Sequence, residues 1–107
     1  MKINVASEEI IHFVGVGGIG MSGLAQIMNN MGFQVQGSDL NINKNIERLA
    51  AIGVKIFIGH NKKNVKQATM VVISSAIKKS NIELVFSKKR KIPIFKRGEM
   101  LANIVSL

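Results

Sequence analysis

The chain has 107 residues, of which 47% are apolar, so it is long enough for the core of one domain but not for two full domains. It contains no cysteine, which excludes disulfides, thiolate metal sites and cysteine nucleophiles, and no apolar run is long enough to span a bilayer. The net charge of +9 is uneven, because residues 54–107 carry twelve basic and two acidic side chains, whereas residues 1–53 carry three and four.

The first elements are predicted from the spacing of apolar residues. After a lead-in of residues 1–9, a short β-branched and aromatic run predicts a buried strand at residues 10–14. Apolar residues then recur at helical spacing from Met21 to Met31, which predicts a helix that the following glycine ends. A second strand is predicted at residues 33–37.

The alternation of strands and helices continues to the end of the chain. Ser80 and Glu83 have the Ser-x-x-Glu spacing of a capping box, so they are predicted to cap a helix that begins there. The other predicted elements are helices near residues 46–50 and 99–107, a short helix or turn at residues 61–67, and strands at residues 54–58, 70–73 and 92–95. This order predicts an α/β fold with a Rossmann-like, three-layer αβα arrangement and a five-stranded parallel sheet.

A glycine-rich segment lies between the first predicted strand and the first predicted helix. Gly15, Gly17 and Gly20 follow the Gly-x-Gly-x-x-Gly pattern, and Gly18 adds another residue without a side chain. In this setting the glycines permit a tight turn, a close approach of the backbone to a diphosphate and close packing of the helix on the strand. The helix N-terminus also presents free N–H groups to an anion. The segment therefore predicts a diphosphate site, and the alternative is a glycine turn that binds nothing.

Polar residues follow the ends of the predicted strands, where ligands bind in parallel sheets of this kind. Asp39 ends the second strand 19 residues after Gly20. An acidic residue at this point accepts hydrogen bonds from the ribose of any nucleotide, although a solvated loop aspartate is the alternative. The other candidates at this edge are His60, Ser74, Ser75 and Arg97. They could contact a base or the oxygen atoms of a ligand, or could simply end their strands at the surface.

His12 lies inside the first predicted strand and is interpreted as a packing residue. The sequence shows no paired carboxylates, no histidine cluster with the spacing of metal ligands and no ATP-binding Gly-x-x-x-x-Gly-Lys-Ser/Thr loop. We therefore assign no catalytic residue and no metal ligand, and we interpret the chain as a binding module rather than a complete active site.

The sequence from His12 to Ala25, HFVGVGGIGMSGLA, resembles the opening motif of the Mur ligase family, whose members build the peptide stem of bacterial peptidoglycan. The resemblance is to the members that join L-alanine to UDP-N-acetylmuramate. It continues through GSDL at 37–40, GH at 59–60, VVISSAI at 71–77, NIE at 81–83, IP at 92–93 and RGEMLA at 97–102. The family usually has alanine at the position of Gly98.

The resemblance implies a Rossmann-like N-terminal domain over residues 10–97 that holds the UDP part of UDP-N-acetylmuramate. Residues 98–107 would begin a helix that leads to a central domain with the ATP loop, which this chain lacks. The implied substrate contacts are Gly15, Gly17, Gly18, Ile19, Gly20 and Met21 at the diphosphate, Ser38 and Asp39 near the ribose, and His60, Ser74, Ser75 and Ala76 in the uridine pocket.

The resemblance also implies what the full-length, cytoplasmic bacterial enzyme would do. It would use ATP and Mg²⁺ to form an acyl phosphate on the muramoyl carboxylate, which the amine of L-alanine then attacks. The domain formed by this chain would bind no cofactor and would be inactive without the central and C-terminal domains. Neither a nucleic acid nor a membrane is expected as a partner.

Two other functions remain open from the residues alone. An NAD-binding regulatory domain that gates a channel or a transporter would share the fold, the glycine loop and Asp39. A nucleic-acid module would rest only on the basic residues 54–107. A solvated, lysine-rich face explains that charge better, because tryptophan and tyrosine are absent from the chain.

Overall fold

The computed structural model describes residues 8–105. Residues 1–7 of the predicted lead-in and residues 106–107 of the last predicted helix lie outside the described residues. The elements are β1 (Ile10–Val14), α1 (Ile19–Asn30), β2 (Gln34–Asp39), α2 (Lys44–Ala51), β3 (Lys55–Ile58), a 3₁₀ turn (Lys62–Val65), β4 (Met70–Ile73), α3 (Ile82–Lys89), β5 (Ile94–Lys96) and α4 (Arg97–Ile104). The first and fourth strands coincide with their predicted ranges.

The five strands form one parallel sheet in the order β3-β2-β1-β4-β5. β1 lies at the centre, where Phe13 pairs with Gly37 of β2 on one side and with Val72 of β4 on the other. The strand order reverses between β1 and β4, so their carboxyl ends flank a topological switch point, where sheets of this kind bind ligands. The predicted Rossmann-like α/β class, with its five-stranded parallel sheet, is confirmed.

Apolar side chains cover both faces of the sheet and produce the three layers. On one face, α1, α2 and α4 bury Leu24, Leu49 and Met100 against Phe13 of β1. On the other face, a smaller cluster around Val14 lies under the 3₁₀ turn and α3. Burial of this apolar surface is the main favourable contribution to folding.

The start of α3 differs from the prediction. Asn81, not Ser80, is the N-cap, because its side-chain oxygen accepts hydrogen bonds from the backbone N–H groups of Glu83 (2.9 Å) and Leu84 (3.3 Å). Asparagine caps helices as well as serine does. The Glu83 side chain is fully buried and turns into the protein instead of back to the cap. The predicted capping box of Ser80 and Glu83 is therefore wrong.

The last strand and helix also begin at different residues from those predicted. β5 begins at Ile94, after Pro93, because proline has no N–H group to donate to the sheet. α4 then follows directly and begins at Arg97, with the Lys96 N–H donating to the Glu99 carboxylate at 2.8 Å. This early start places Arg97 in the first turn of a helix, at the carboxyl end of the sheet.

Candidate functional site

The glycine loop after β1 is held against the end of β2. The N–H groups of Gly15 and Val16 both donate to the Ser38 carbonyl oxygen, at 2.9 and 3.0 Å. Gly15 has a φ of +81°, which residues with a Cβ atom rarely adopt. Val16 passes directly over Gly37, where an added Cβ would lie 2.5 Å from the Cβ of Val16. The loop therefore requires a glycine in the strand beneath it as well as glycines of its own.

The loop brings Gly17 into contact with Asp39. The Gly17 N–H donates to Asp39 Oδ2 at 2.8 Å, and the Gly17 carbonyl accepts from Asn43 Nδ2 at 3.1 Å and from Asn45 Nδ2 at 3.0 Å. An added Cβ on Gly17 would lie 2.8 Å from Asp39 Oδ2 and 3.0 Å from Ile46 Cδ1. The predicted phosphate-facing amide and the predicted ribose-binding carboxylate thus meet at one point.

The start of α1 offers backbone N–H groups beside a positive side chain. Gly18 is the N-cap, in an extended conformation, and no side chain among residues 8–105 caps the helix. The Ile19 side chain is 88% exposed, whereas the Met21 side chain is buried. Met21 can therefore face a diphosphate only through its backbone. An added Cβ on Gly20 would lie 3.0 Å from both Cδ and Nε of Arg97. Arg97 and the helix dipole together make this end of α1 favourable for an anion.

The remaining strand ends lie along the same edge of the sheet. The turn that follows β4 contains Ser74, Ser75 and Ala76, and Ile77 of this turn reaches the glycine loop, since an added Cβ on Gly15 would lie 3.1 Å from Ile77 Cδ1. Ser75 and Ala76 are exposed, and the Ala76 N–H donates to Ser74 Oγ at 3.3 Å. The structure therefore gathers these residues beside the loop, and their contact with a substrate stays a prediction.

Ser38 and His60 belong to a polar cluster on the α3 face of the sheet. We call this the Glu83 cluster: Glu83, His12, Ser38, His60, Asn61 and Asn64. Glu83 Oε1 lies 2.6 Å from both His12 Nε2 and Ser38 Oγ. His60 Nδ1 lies 3.0 Å from Ser38 Oγ and 3.4 Å from Glu83 Oε2. The Ser38 side chain is fully buried, so its hydroxyl is engaged inside the protein rather than exposed at the edge.

The hydrogen bonds of the cluster keep Glu83 ionised. Burial by itself raises the pKa of the Glu83 carboxyl, but the hydrogen bond and electrostatic attraction of His12, together with hydrogen bonds from Ser38 and Asn64, outweigh it and lower the pKa from 4.5 to about 2. Glu83 was not among the functional residues predicted from the sequence, and His12 was interpreted only as a packing residue. The available signal was a histidine inside an otherwise apolar strand, because a buried imidazole needs polar partners.

We expect the Glu83 cluster to make stability depend on pH in acid. A carboxylate with a lowered pKa in the folded state stabilises the protein fully above about pH 4.5, and this contribution of roughly 3 kcal/mol is lost as the pH falls toward about 2. Urea unfolding between about pH 2 and about pH 6 should show the wild type losing its advantage over Glu83→Gln across this range. The titratable groups that face the carboxylate are His12 and His60. A gap between the two proteins that did not change with pH would contradict this expectation.

The described residues contain neither a membrane-spanning helix nor a cluster of metal ligands. No helix among residues 8–105 is long and apolar enough to cross a membrane. Over the same residues, no group of three or more histidine, aspartate or glutamate side chains is arranged to hold a metal ion. The carboxyl edge of the sheet presents the backbone amides at the start of α1, the Asp39 carboxylate and the Arg97 guanidinium.

Comparison with known proteins decides the family. Residues 10–107 match the family described as Mur ligase family, catalytic domain. The chain belongs to the Mur ligase family. It is 67% identical over 107 residues, its whole length, to a UDP-N-acetylmuramate–L-alanine ligase of Pelagibacter ubique, and 52% identical over 99 residues, 92% of its length, to the ligase of the same name from Rickettsia bellii.

A solved Mur ligase structure agrees with these relatives. The crystal structure of the UDP-N-acetylmuramate-alanine ligase MurC of Thermotoga maritima matches 90% of this chain with a TM-score of 0.85 and 31% identity. The match covers 22% of that structure, and the two bacterial relatives are covered over 23% and 21% of their lengths. The resemblance inferred from the glycine loop and the later motifs is thus confirmed, and the chain spans about a fifth of the Mur ligases that it matches.

Proposed function

We propose that this chain is the N-terminal domain of a UDP-N-acetylmuramate–L-alanine ligase and that it binds the UDP part of UDP-N-acetylmuramate. The observation that supports this most directly is the hydrogen bond of 2.8 Å from the Gly17 N–H to Asp39. In nucleotide sites of this fold, the glycine loop meets the diphosphate and the acidic residue after β2 meets the ribose. Their contact puts both groups within reach of a single nucleoside diphosphate.

Each part of the nucleotide has residues of suitable chemistry along this edge. The backbone from Gly17 to Met21 and the Arg97 guanidinium would bind the diphosphate, because the N–H groups that begin α1 and the guanidinium present donors and positive charge to an anion. Asp39 would accept hydrogen bonds from the ribose hydroxyls. His60 and the turn at residues 74–76 would line the uridine pocket.

In the full-length ligase, the nucleotide-sugar held here would present its muramoyl carboxylate to the other domains. The carboxylate oxygen would attack the γ-phosphate of ATP, with Mg²⁺ bound, to give an acyl phosphate and ADP. The amine of L-alanine would then attack the acyl carbon, forming the amide and releasing phosphate. The chain would supply binding and orientation in the cytoplasm, and the chemistry would require the domains that carry the ATP site.

We expect UDP-N-acetylmuramate to shift the backbone amide NMR signals of Gly17 to Met21 and of residues near Asp39, because the ligand would displace solvent and add hydrogen bonds there. A parallel titration with NAD should leave these signals in place. Shifts with NAD and none with the UDP-sugar would instead support the NAD-binding regulatory domain and overturn the proposal. Inorganic phosphate at the same concentrations serves as the control for a bare anion at the start of α1.

A further inference from the structure

The proton positions in the Glu83 cluster follow from its hydrogen-bond partners. The Gln36 side-chain nitrogen lies 2.7 Å from the backbone carbonyl oxygen of Asn64, which can only accept, and 2.9 Å from His12 Nδ1. Gln36 donates to both, so His12 Nδ1 is an acceptor and its Nε2 carries the proton toward Glu83. The orientation of the Asn64 side-chain amide follows by the same reasoning, because its nitrogen donates to the Gly59 carbonyl oxygen at 3.0 Å.

Donors occupy every position on the Glu83 carboxylate. Oε1 accepts from His12 Nε2 and from the Ser38 hydroxyl, both at 2.6 Å. Oε2 accepts from the Asn61 backbone N–H at 3.0 Å and from Asn64 Nδ2 at 2.9 Å. Since an ionised carboxylate only accepts, the single proton of the Ser38 hydroxyl points to Glu83.

The Ser38 hydroxyl then determines the state of His60. Because its proton points to Glu83, the Ser38 oxygen can only accept from His60 Nδ1, which lies 3.0 Å away. Glu83 Oε2, at 3.4 Å, also favours a proton on that nitrogen. His60 Nδ1 is therefore a donor, and in the neutral ring Nε2 is an unprotonated acceptor.

The Nε2 atom of His60 is available to a ligand. It has no hydrogen-bond partner among residues 8–105, and no buried side-chain nitrogen or oxygen in that range lacks one, so Nε2 reaches solvent. His60 lines a cleft of about 420 Å³ together with Phe57, Ile58 and Lys63. A cleft of this volume can hold a nucleobase.

We propose that Ser38 and Glu83 are positioning residues that hold His60 as the Nδ1–H tautomer, so that its Nε2 accepts the imide N–H of a uracil base and rejects cytosine. Uracil presents N–H at its position 3, whereas cytosine presents a lone pair there, which would face the lone pair of Nε2. This inference rests on the proposed function, because it assigns the base specificity of the same nucleotide site.

The tautomer can be measured on the free protein. Free histidine in water prefers the Nε2–H tautomer, so the imidazole ¹⁵N shifts of His60 distinguish the two forms when they are recorded above neutral pH. We expect a protonated Nδ1 and an unprotonated Nε2 in the wild type. The opposite assignment would overturn the proposal. This test requires neither a ligand nor a variant protein.

The specificity is measured with UDP and CDP, which share their ribose and diphosphate and differ in the base. Wild type should bind UDP more tightly than CDP by about tenfold or more, since a mispaired hydrogen-bonding edge carries a cost of that order. His60→Ala should bring the ratio of the two Kd values close to one. Ser38→Ala should lower the ratio and alter the His60 ¹⁵N shifts, because the ring then loses its contact of 3.0 Å.

Ser87→Ala is the matched control for Ser38→Ala. Ser87 is as fully buried as Ser38, but its hydroxyl donates to the Glu83 backbone carbonyl at 2.7 Å and not to the carboxylate. It should leave the UDP-to-CDP ratio and the His60 tautomer unchanged. If His60→Ala bound UDP normally and kept the wild-type ratio of the two Kd values, recognition of the base by His60 would be overturned and the proposed function would stand. If the wild type bound neither UDP nor CDP, the proposed function would be overturned as well.

Discussion

Replacing Glu83 with alanine is expected to lower the free energy of unfolding by about 3–5 kcal/mol, the cost of breaking a buried and paired charge by removal of one partner. The change removes the carboxylate to which the side chains of His12, Ser38 and Asn64 donate. These three side chains lie in or beside the fully buried layer under α3, so their donors would be left without an acceptor. Urea denaturation at neutral pH, followed by far-UV circular dichroism, measures the difference.

Glu47→Ala is the control for this variant. Glu47 is likewise an acidic residue in the first turn of an eight-residue helix, α2, but it is exposed. Its removal should change the free energy of unfolding by no more than about 1 kcal/mol, through the helix dipole. A Glu83→Ala protein as stable as Glu47→Ala would mean that the Glu83 cluster does not hold α3 and the loop after β3 in place.

Replacing Gly17 with valine is expected to weaken the binding of UDP-N-acetylmuramate by at least about a hundredfold, which corresponds to roughly 3 kcal/mol of binding free energy. A Cβ at this position would lie 2.8 Å from Asp39 Oδ2 and 3.0 Å from Asn43 Nδ2, so the new side chain occupies the space between the loop and Asp39. It would also keep a diphosphate from approaching the backbone of the glycine loop. Isothermal titration calorimetry measures the loss.

Gly23→Ala provides the matched glycine substitution. Gly23 is exposed on the next turn of α1, and an added Cβ there meets no heavy atom of the described residues within 4 Å. It should bind as the wild type does and gain up to about 1 kcal/mol in stability, because alanine suits a helix better than glycine. The atoms nearest to Gly17 are the ends of flexible side chains, so Gly17→Val should still fold. If it bound normally, the glycine loop would not be the phosphate site.

Patterns within one element were enough to predict most of the fold. The apolar run at residues 10–14 and the helical spacing from Met21 to Met31 depend on neighbours a few positions apart, which is why those elements were predicted close to their observed bounds. The errors lie at the ends of elements. Asn81 and Ser80 are both good caps, and only the path of the chain decides which of them begins α3.

Some residues of the candidate site were predictable from the sequence, and the positions of others depend on tertiary packing. The glycine loop and Asp39 were predicted from spacing, because the strand–loop–helix unit that brings them together is continuous in sequence. Arg97 was a candidate only as a residue at a strand end. Its position across Gly20 depends on α4 packing beside α1, which joins parts of the chain 77 residues apart.

The sequence by itself determined the succession of strands and helices, the glycine loop after the first strand and membership of the Mur ligase family, because each of these depends on short runs of neighbouring residues. Only the tertiary structure decided that Glu83 faces inward and gathers His12, Ser38 and His60 around one carboxylate. A buried charge is tolerated only where enough donors converge on it. Here those donors come from β1, β2 and the segment after β3, with His12 and Glu83 lying 71 positions apart, and no local pattern could have shown their convergence.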